Sequence, residues 1–260
     1  NGETEDLFVQ PKPKGEALGF TKLLTRRDPG LVFDTGKCAD SIAVEDLAIS
    51  GPGSPSVNQR ANKVWGTVLS SKCFEPKTGV HRWAVKMEKC ERGHIFVGVG
   101  TSRVSMKTYV GGDKHGWGMI GTQALWHNRK KIRNDYGKTF RTGDTIVVTL
   151  DTDAGTLGFS LWTKRGEEEN SSTSSNVDFD LFDTGESQTG KFEDWGFAFE
   201  GLPLDTRLFP AIGMYQRDDK ASMIGLQGTE AELESSAFGA GCCFYPRNFT
   251  NIQDWNEGIC

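Results

Sequence analysis

Apolar and polar residues alternate along the middle of this chain with the period of two that is typical of a half-buried β-strand. The clearest example runs from Gly143 to Leu161. Two apolar sets lie on either side of a turn at residues 151–156: Ile146, Val148 and Leu150, then Leu157, Phe159 and Leu161. This pattern predicts two adjacent antiparallel strands joined by a hairpin.

The strand pattern recurs at short intervals along the chain. Predicted strands cover Leu31–Phe33, Ile42–Ile49, Val64–Leu69, Val80–Met87, Ile95–Gly100, Trp117–Ile120, Thr145–Leu150, Leu157–Leu161, Trp195–Glu200 and Phe209–Tyr215. A sheet with one apolar face has to bury that face, and this region contains no convincing amphipathic helix to cover it. The sequence therefore predicts an all-β sandwich of two antiparallel sheets with few short helices.

Composition is consistent with this fold and limits the alternatives. The chain has 260 residues, of which 36% are apolar and 25% charged, enough for a full-sized core. Its 32 glycines and nine prolines suit many short strands joined by turns. The longest apolar runs, such as Ile95–Val99, are far shorter than the ~20 residues of a spanning helix, so no membrane segment is expected.

Three regions are predicted along the chain. Residues 1–29 form an N-terminal arm, residues 30–224 form the sandwich, and residues 225–260 form a C-terminal extension in which 230–236 suit a short helix. An acidic insertion at 163–194 interrupts the sandwich. Its Lys164–Asp194 stretch holds nine Asp or Glu against three Lys or Arg, which predicts a flexible surface loop. Because the chain starts at Asn1 without Met, we expect a fragment of a longer protein.

Cysteine usage favours a reducing, cytoplasmic location. The six cysteines form no C-x-x-C pair and have no histidine at zinc-ligand spacing, so no metal site is predicted. A domain of this size does not need disulfides, and buried free thiols are common. Two glycosylation sequons, at Asn170 and Asn248, argue weakly for the opposite compartment.

Motifs for catalysis and cofactor binding are missing or incomplete. Gly98 and Gly100 follow a predicted strand, but Arg103 stands where a dinucleotide fingerprint needs a third glycine. The 151–155 turn has its glycine one place too early for a calcium loop, and Trp162 replaces the terminal Glu. The sequence therefore predicts a protein without enzymatic activity and without a cofactor.

An ordered set of segments resembles the SPRY domain family. The set consists of Gly79–Val85, Phe96–Gly100, Trp117–Gly118, Gly143–Ile146, Leu150–Ser160, Ala198–Leu202 and Leu208–Ile212. Each segment is weak alone, but their order is specific. The resemblance covers about residues 31–224, and the earlier strands look like the subdomain that precedes many SPRY cores.

This resemblance implies a bent sandwich that captures a protein or peptide with loops at one end and has no catalytic activity. Many such proteins are ubiquitin ligases or their adaptors, so substrate recruitment in a larger protein is expected. The chain departs from the family pattern after Trp162, where the acidic insertion replaces an Asn-Gly turn. The matching loops predict these partner-binding residues: Arg103, Tyr109, Trp126, Asn128, Tyr136, Trp162, Tyr215, Gln216 and Arg217.

Other interpretations of these residues stay open. Trp126 and Tyr136 also suit core positions under long loops, and Trp83, Trp117 and Phe159 are predicted to pack in the core. The basic run at 128–133 suits an acidic partner, a phosphate, the chain's own insertion or a solvated turn. Outside the insertion the chain is nearly neutral, so nucleic-acid binding is not expected, and the fragment is expected to be monomeric.

Two rival functions remain. The first is a sandwich lectin or glycan-processing enzyme, for which Glu88 with Glu91, or Glu193 with Glu200, are the candidate carboxylate pairs. The second is an autoinhibitory role in which the acidic insertion covers the basic run.

Overall fold

The computed structural model describes residues 26–27, 30–45, 54–164, 177–179 and 188–227. Within these ranges the chain forms strands and no helix. The strands are β1 (Arg26–Arg27), β2 (Phe33–Cys38), β3 (Ile42–Glu45), β4 (Ser56–Gln59), β5 (Gly66–Ser70), β6 (Val80–Lys89), β7 (Ile95–Gly100), β8 (Gly116–Ile120), β9 (Ala124–His127), β10 (Lys130–Arg133), β11 (Thr145–Asp151), β12 (Thr156–Lys164), β13 (Val177–Phe179), β14 (Gln188–Glu200), β15 (Phe209–Met214) and β16 (Lys220–Gln227).

These strands form two antiparallel sheets. The nine-stranded sheet has the order β13-β14-β12-β11-β6-β16-β4-β3, with β1 also paired to β16. The seven-stranded sheet has the order β10-β9-β8-β7-β15-β5-β2. The predicted all-β sandwich is therefore confirmed. The described ranges also contain no helix of the length and apolarity that a membrane crossing requires.

The main core lies between the two sheets. Trp83, Val148 and Phe159 contribute to it from the nine-stranded sheet, and Val97 and Ile212 contribute from the seven-stranded sheet. Trp83 is fully buried and Phe159 is 1% exposed, so the predicted core role of both residues is confirmed. Trp117 is partly exposed and stacks on His127, with ring centroids 4.7 Å apart, while it packs against the same core.

The hairpin predicted from the alternation is confirmed. Strands β11 and β12 pair in continuous register from Thr145 opposite Trp162 to Asp151 opposite Thr156. The turn is held by the Asp151 carboxylate, since its Oδ1 accepts the N–H groups of Asp153 at 2.8 Å and Ala154 at 2.9 Å. An aspartate that binds the backbone ahead of it favours a tight turn, which explains the acidic residues at this position.

Residues 125–136, which lie outside the predicted strands and contain three of the predicted partner-binding residues, are not a loop throughout. Strands β9 and β10 form an antiparallel hairpin there, with Lys130 opposite His127. Its two turn residues, Asn128 and Arg129, have φ angles of 50° and 63°. Two consecutive positive φ values match the twist of a hairpin, but an Asn-Arg turn lacks the glycine that usually announces one. The short strands and this turn explain why the hairpin is hard to see in the sequence.

The acidic insertion is also not a loop throughout. Residues 177–179 pair with residues 188–190, and β14 then continues to Glu200 beside β12. The remaining insertion residues, 165–176 and 180–187, lie outside the described residues. In the predicted N-terminal arm, Arg26 and Arg27 pair with the end of β16. The predicted helix at 230–236 lies outside the described residues.

Candidate functional site

The outer face of the seven-stranded sheet carries a second buried cluster. Phe96 and Leu69 alternate with core residues along their strands and belong to this second cluster, together with Phe209 and Ala211. Val104 and Val110, from the loop between β7 and β8, pack onto the same cluster. We call residues 101–115 the covering loop. It lies directly against the sheet, so its side chains are held in place by both the sheet and the loop backbone.

Glycines allow this close approach. A Cβ at Gly118 would lie 2.6 Å from the Val110 carbonyl oxygen, and a Cβ at Gly213 would lie 3.1 Å from the Val110 nitrogen. Both positions are in strands, where a glycine otherwise costs stability and often marks a place where another backbone comes near. The sheet therefore carries glycines directly beneath the covering loop.

Hydrogen bonds tie the covering loop to its neighbours. Thr67 in β5 donates its hydroxyl to the Thr108 carbonyl at 2.6 Å. On the other side, the Asn128 N–H bonds the Asp113 carbonyl at 3.0 Å and the Arg129 N–H bonds the Gly111 carbonyl at 2.9 Å. The β9–β10 turn and β5 therefore hold the loop from both sides.

Five partly exposed rings cross this face in a continuous row. In order they are Trp126, Tyr109, Trp65, Tyr215 and His94, which we call the aromatic row. Successive ring centroids lie 5.4, 5.3, 4.7 and 5.6 Å apart. Tyr109 also stacks on the buried Phe96 at 4.9 Å. These spacings match attractive aromatic contacts, so each ring is held by the next.

The turn between β15 and β16 supplies the last part of the row. The Gln216 side-chain Nε2 lies 3.2 Å from the His94 ring Nδ1. Burial, followed by the charges of Arg92 and Arg141, lowers the pKa of His94, which favours the neutral ring that can accept a bond from the Gln216 amide. This contact links the 215–219 turn to the start of β7.

A buried carboxylate closes the same turn. Asp219 is 4% exposed, and its Oδ2 accepts the Gln216 N–H at 3.0 Å. Burial raises the pKa of Asp219 from 3.8 to about 6, although the Gln216 and Tyr215 N–H groups oppose the shift. The turn that presents Tyr215 therefore depends on a carboxyl group that titrates close to neutral pH.

This buried carboxyl predicts a pH dependence of stability. Because the folded state raises the pKa of Asp219, its protonated form favours folding below about pH 4, and this contribution is lost as the pH rises through about 6. Between about pH 4 and pH 6 and above, the wild-type protein should lose up to about 3 kcal/mol of its free energy of unfolding. The Asp219→Asn variant, which has no carboxyl group to ionise at this position, should not show this loss. Urea unfolding of both proteins across this range measures the difference. Parallel pH profiles for the two proteins would contradict the expectation.

The structure brings together five of the residues predicted to bind a partner. Tyr109, Trp126 and Tyr215 belong to the aromatic row, with Gln216 and the exposed Arg217 beside its end. Arg103 is exposed on the covering loop, and Asn128 is exposed at the β9–β10 turn. Whether these residues bind a partner remains a prediction.

Tyr136 and Trp162 require a correction, because neither is available on the surface. Tyr136 is 1% exposed, and its hydroxyl donates to the Gly196 carbonyl at 2.6 Å while it accepts the Phe159 N–H at 3.1 Å. Trp162 is 2% exposed in β12, which lies between β11 and β14. The core interpretation considered for Tyr136 from the sequence is the one that the structure supports.

The sequence interpretation missed Trp65 and His94, which complete the row, and the buried Phe96 beneath it. A signal for Phe96 was present. Ile95, Phe96 and Val97 are consecutive apolar residues, and a strand that is apolar on both faces indicates cover on both sides. Trp65 lies next to the strand that contains Thr67, so only the folded arrangement shows its contact with Tyr109.

One of the two carboxylate pairs of the rival glycosidase is spaced too widely for a retaining reaction centre. Glu193 and Glu200 lie seven residues apart on β14, which at about 3.3 Å per residue separates them by roughly 20 Å. Glu193 also pairs with Lys138 at 2.6 Å. Glu88 accepts the Ser222 hydroxyl at 2.7 Å and pairs with Lys86 at 3.2 Å. No group of metal-binding side chains occurs in the described part of the chain.

Two packed antiparallel sheets, with the covering loop laid over one outer face, place the chain in the class of β-sandwich domains. Residues 80–184 match the model of the SPRY domain. This part of the chain is therefore similar to the SPRY domain, and the match supports a protein-interaction module.

Relatives carry the same domain name. The chain is 26% identical over 162 residues to the SPRY domain-containing SOCS box protein 2 of Mus musculus, covering 55% of this chain and 59% of the relative. It is 33% identical over 95 residues to SPRY domain-containing SOCS box protein 1 of Homo sapiens, covering 31% of this chain and 35% of that protein. The matches thus span only part of these relatives.

A solved structure shares the fold. The crystal structure of the SPRY domain of human HERC1 superposes with a TM-score of 0.52 at 20% identity, covering 76% of this chain and 99% of that one. The similarity extends beyond residues 80–184 and supports a single sandwich fold for most of the described chain.

Proposed function

We propose that this SPRY domain captures a short segment of a partner protein on the aromatic row and the loops around it, and that it acts by binding without catalysis. The observation that carries this proposal is the continuous row of partly exposed rings from Trp126 to His94. Soluble domains seldom expose neighbouring aromatic rings without a binding role.

The geometry suits a binding surface because its rings are already ordered. Tyr109 contacts Trp126, Trp65 and Phe96, so its position is defined before a partner arrives. Ordering a side chain on binding costs about 0.5–1.5 kcal/mol, and a preformed surface avoids most of this cost. Tyrosine, tryptophan and arginine are also the residues that most often dominate binding energy.

We expect the double variant Tyr109→Ala with Arg217→Ala to lose partner capture. Truncation of a hot-spot residue costs about 2 kcal/mol or more, which corresponds to a loss of about thirtyfold in affinity. Because Tyr109 is half-buried, the variant should also lose about 1–2 kcal/mol of stability while remaining folded. Affinity capture from lysate, quantified by mass spectrometry, measures the loss.

A matched control separates binding from stability. Trp195 is a partly exposed ring on the nine-stranded sheet, and Arg207 is an exposed arginine paired with Glu75. The double variant Trp195→Ala with Arg207→Ala removes the same kinds of side chain away from the aromatic row and should capture the same proteins as wild type. Equal capture by the Tyr109 and Arg217 variant would refute the proposed surface.

We further propose that capture serves recruitment within a larger cytoplasmic protein of the ubiquitin-ligase type, with this domain acting as a monomer. The resemblance of the motifs supports this proposal, and so does the presence of a SOCS box in the names of the relatives. Ubiquitination of the captured partner by the full-length protein, and its loss in the Tyr109 and Arg217 variant, would test it.

A further inference from the structure

Positive charge is concentrated on one side of the aromatic row. The covering loop and residues 128–133 together contain seven Lys or Arg and one Asp, whereas the whole chain has a net charge of −5. The charge of this region is therefore opposite in sign to that of the protein.

Within the part of the chain that the structure describes, most of these cations have no acidic partner. Arg133 pairs with Asp135 at 3.1 Å. The other cations have no carboxylate within ion-pair distance among the described residues: Arg103, Lys107, Lys114, Arg129, Lys130 and Lys131. All six residues are exposed.

The one acidic residue of the region is occupied by the backbone. Asp113 Oδ2 accepts the Ser105 N–H at 2.8 Å, and its Oδ1 accepts the His115 N–H at 2.8 Å. Its carboxylate thus shapes the covering loop. None of the described carboxylates therefore neutralises the six exposed cations of this surface.

Two of the cations, Lys131 and Arg129, lie close to rings of the aromatic row. The Lys131 Nζ is 5.6 Å from the centroid of the Trp126 ring. Arg129 donates its Nε–H to the Gly112 carbonyl at 3.3 Å, which anchors the guanidinium beside the covering loop. Burial raises the pKa of Tyr109, and the charge of Arg129 opposes this shift, so the two side chains are close enough to interact.

We propose that the partner segment captured on the aromatic row is acidic, with Asp or Glu side chains that pair with Arg129 and Lys131 while its apolar groups cover Trp126 and Tyr109. This inference rests on the proposed function and adds the chemistry of the partner. Complementary charge at exposed positions steers association and selects among partners more than it adds affinity. In this proposal the Asp or Glu side chains belong to a separate protein and not to the acidic insertion of this chain.

The test uses a random copolymer of Glu and Tyr, with a copolymer of Lys and Tyr as the charge-inverted probe. Binding is followed by the tryptophan fluorescence of the protein, since neither probe contains tryptophan. We expect the acidic copolymer to bind at least about tenfold more tightly than the basic one, and its affinity to fall as salt is added.

The double variant Arg129→Glu with Lys131→Glu should lose this preference, with a drop of about tenfold or more in affinity for the acidic copolymer. The matched control is Lys77→Glu with Arg207→Glu, which makes the same change of charge at two exposed residues outside the covering loop and the β9–β10 hairpin. The control should bind like wild type.

Three results would overturn the inference. One is equal binding of the acidic copolymer by the charge-reversed variant. Another is equally tight binding of a single-stranded oligothymidine, which would mean a surface for any polyanion. The third is binding that appears only after Glu167, Glu168 and Glu169 are changed to Gln, which would assign the surface to the chain's own acidic segment.

The proposed function is tested separately by protein capture. If the Tyr109 and Arg217 variant loses its captured proteins while the Arg129 and Lys131 variant keeps them, the acidic partner is wrong and the binding surface stands. If both variants keep them, both proposals fail.

Discussion

Replacing Tyr136 by alanine is expected to lower the free energy of unfolding by about 3–5 kcal/mol, the range for removing a large buried ring. The side chain is 1% exposed, and its ring lies 6.2 Å from Phe159 and 6.1 Å from Trp195 between centroids. Its hydroxyl also satisfies the Phe159 N–H and the Gly196 carbonyl. The variant therefore creates a cavity and leaves a buried donor without its acceptor. Urea unfolding followed by tryptophan fluorescence measures the loss.

Tyr136→Phe is the matched control for this prediction. It keeps the ring and removes only the hydroxyl, so it should lose about 1–3 kcal/mol from the unsatisfied backbone groups. Both Tyr136 variants should capture partner proteins normally at temperatures where they remain folded. A Tyr136→Ala protein as stable as wild type would show that the residue lies on the surface, as its predicted partner-binding role requires.

Gly118→Ala is expected to abolish partner capture while the main core between the two sheets stays packed. A Cβ at this position would lie 2.6 Å from the Val110 carbonyl oxygen. That oxygen is a backbone atom, so it cannot move aside as the end of a flexible side chain could. The covering loop must move outward, and Tyr109, one residue before Val110, moves with it. We expect a loss of about 1–3 kcal/mol of stability, typical of overpacking a buried site. Hydrogen exchange should show faster exchange at the Thr67 and Arg129 amides, which bond the loop carbonyls.

Gly36→Ala provides the comparison. Gly36 is also a strand glycine of the seven-stranded sheet, but its Cβ would meet only the Asp34 side chain at 3.2 Å. Asp34 Oδ1 accepts the Gly36 N–H at 2.8 Å, but it is a side-chain atom and not backbone, so stability, exchange at Thr67 and partner capture should remain close to wild type. Normal capture by Gly118→Ala would show that the position of the covering loop does not control binding.

The strand pattern predicted most of the sandwich because the period of two is a local property. Strand β7 occupies the predicted residues, and β11 and β12 carry the predicted hairpin. The β9–β10 hairpin was missed because its turn is Asn128-Arg129, which has positive φ angles without a glycine and bonds the covering loop through both N–H groups. Local patterns do not contain such contacts between distant segments.

The candidate site was predicted only in part. Three of the residues to which the family motifs pointed, Tyr109, Trp126 and Tyr215, form one row in the structure, and their binding role stays a prediction. The motifs also pointed to Tyr136 and Trp162, which are buried. Aromatic residues in loops are equally compatible with a binding surface and with a core position, so composition alone does not separate the two.

The amino-acid sequence by itself determined the all-β class, the central hairpin and the segments that match the SPRY domain, because each depends on residues that are close along the chain. Only the tertiary structure decided which aromatic rings face outward. Trp65, Tyr109, Trp126 and Tyr215 come from four separate segments, and their exposure depends on how the covering loop packs against the glycines of β8 and β15. Burial is a property of the assembled sheets, and no single segment specifies it.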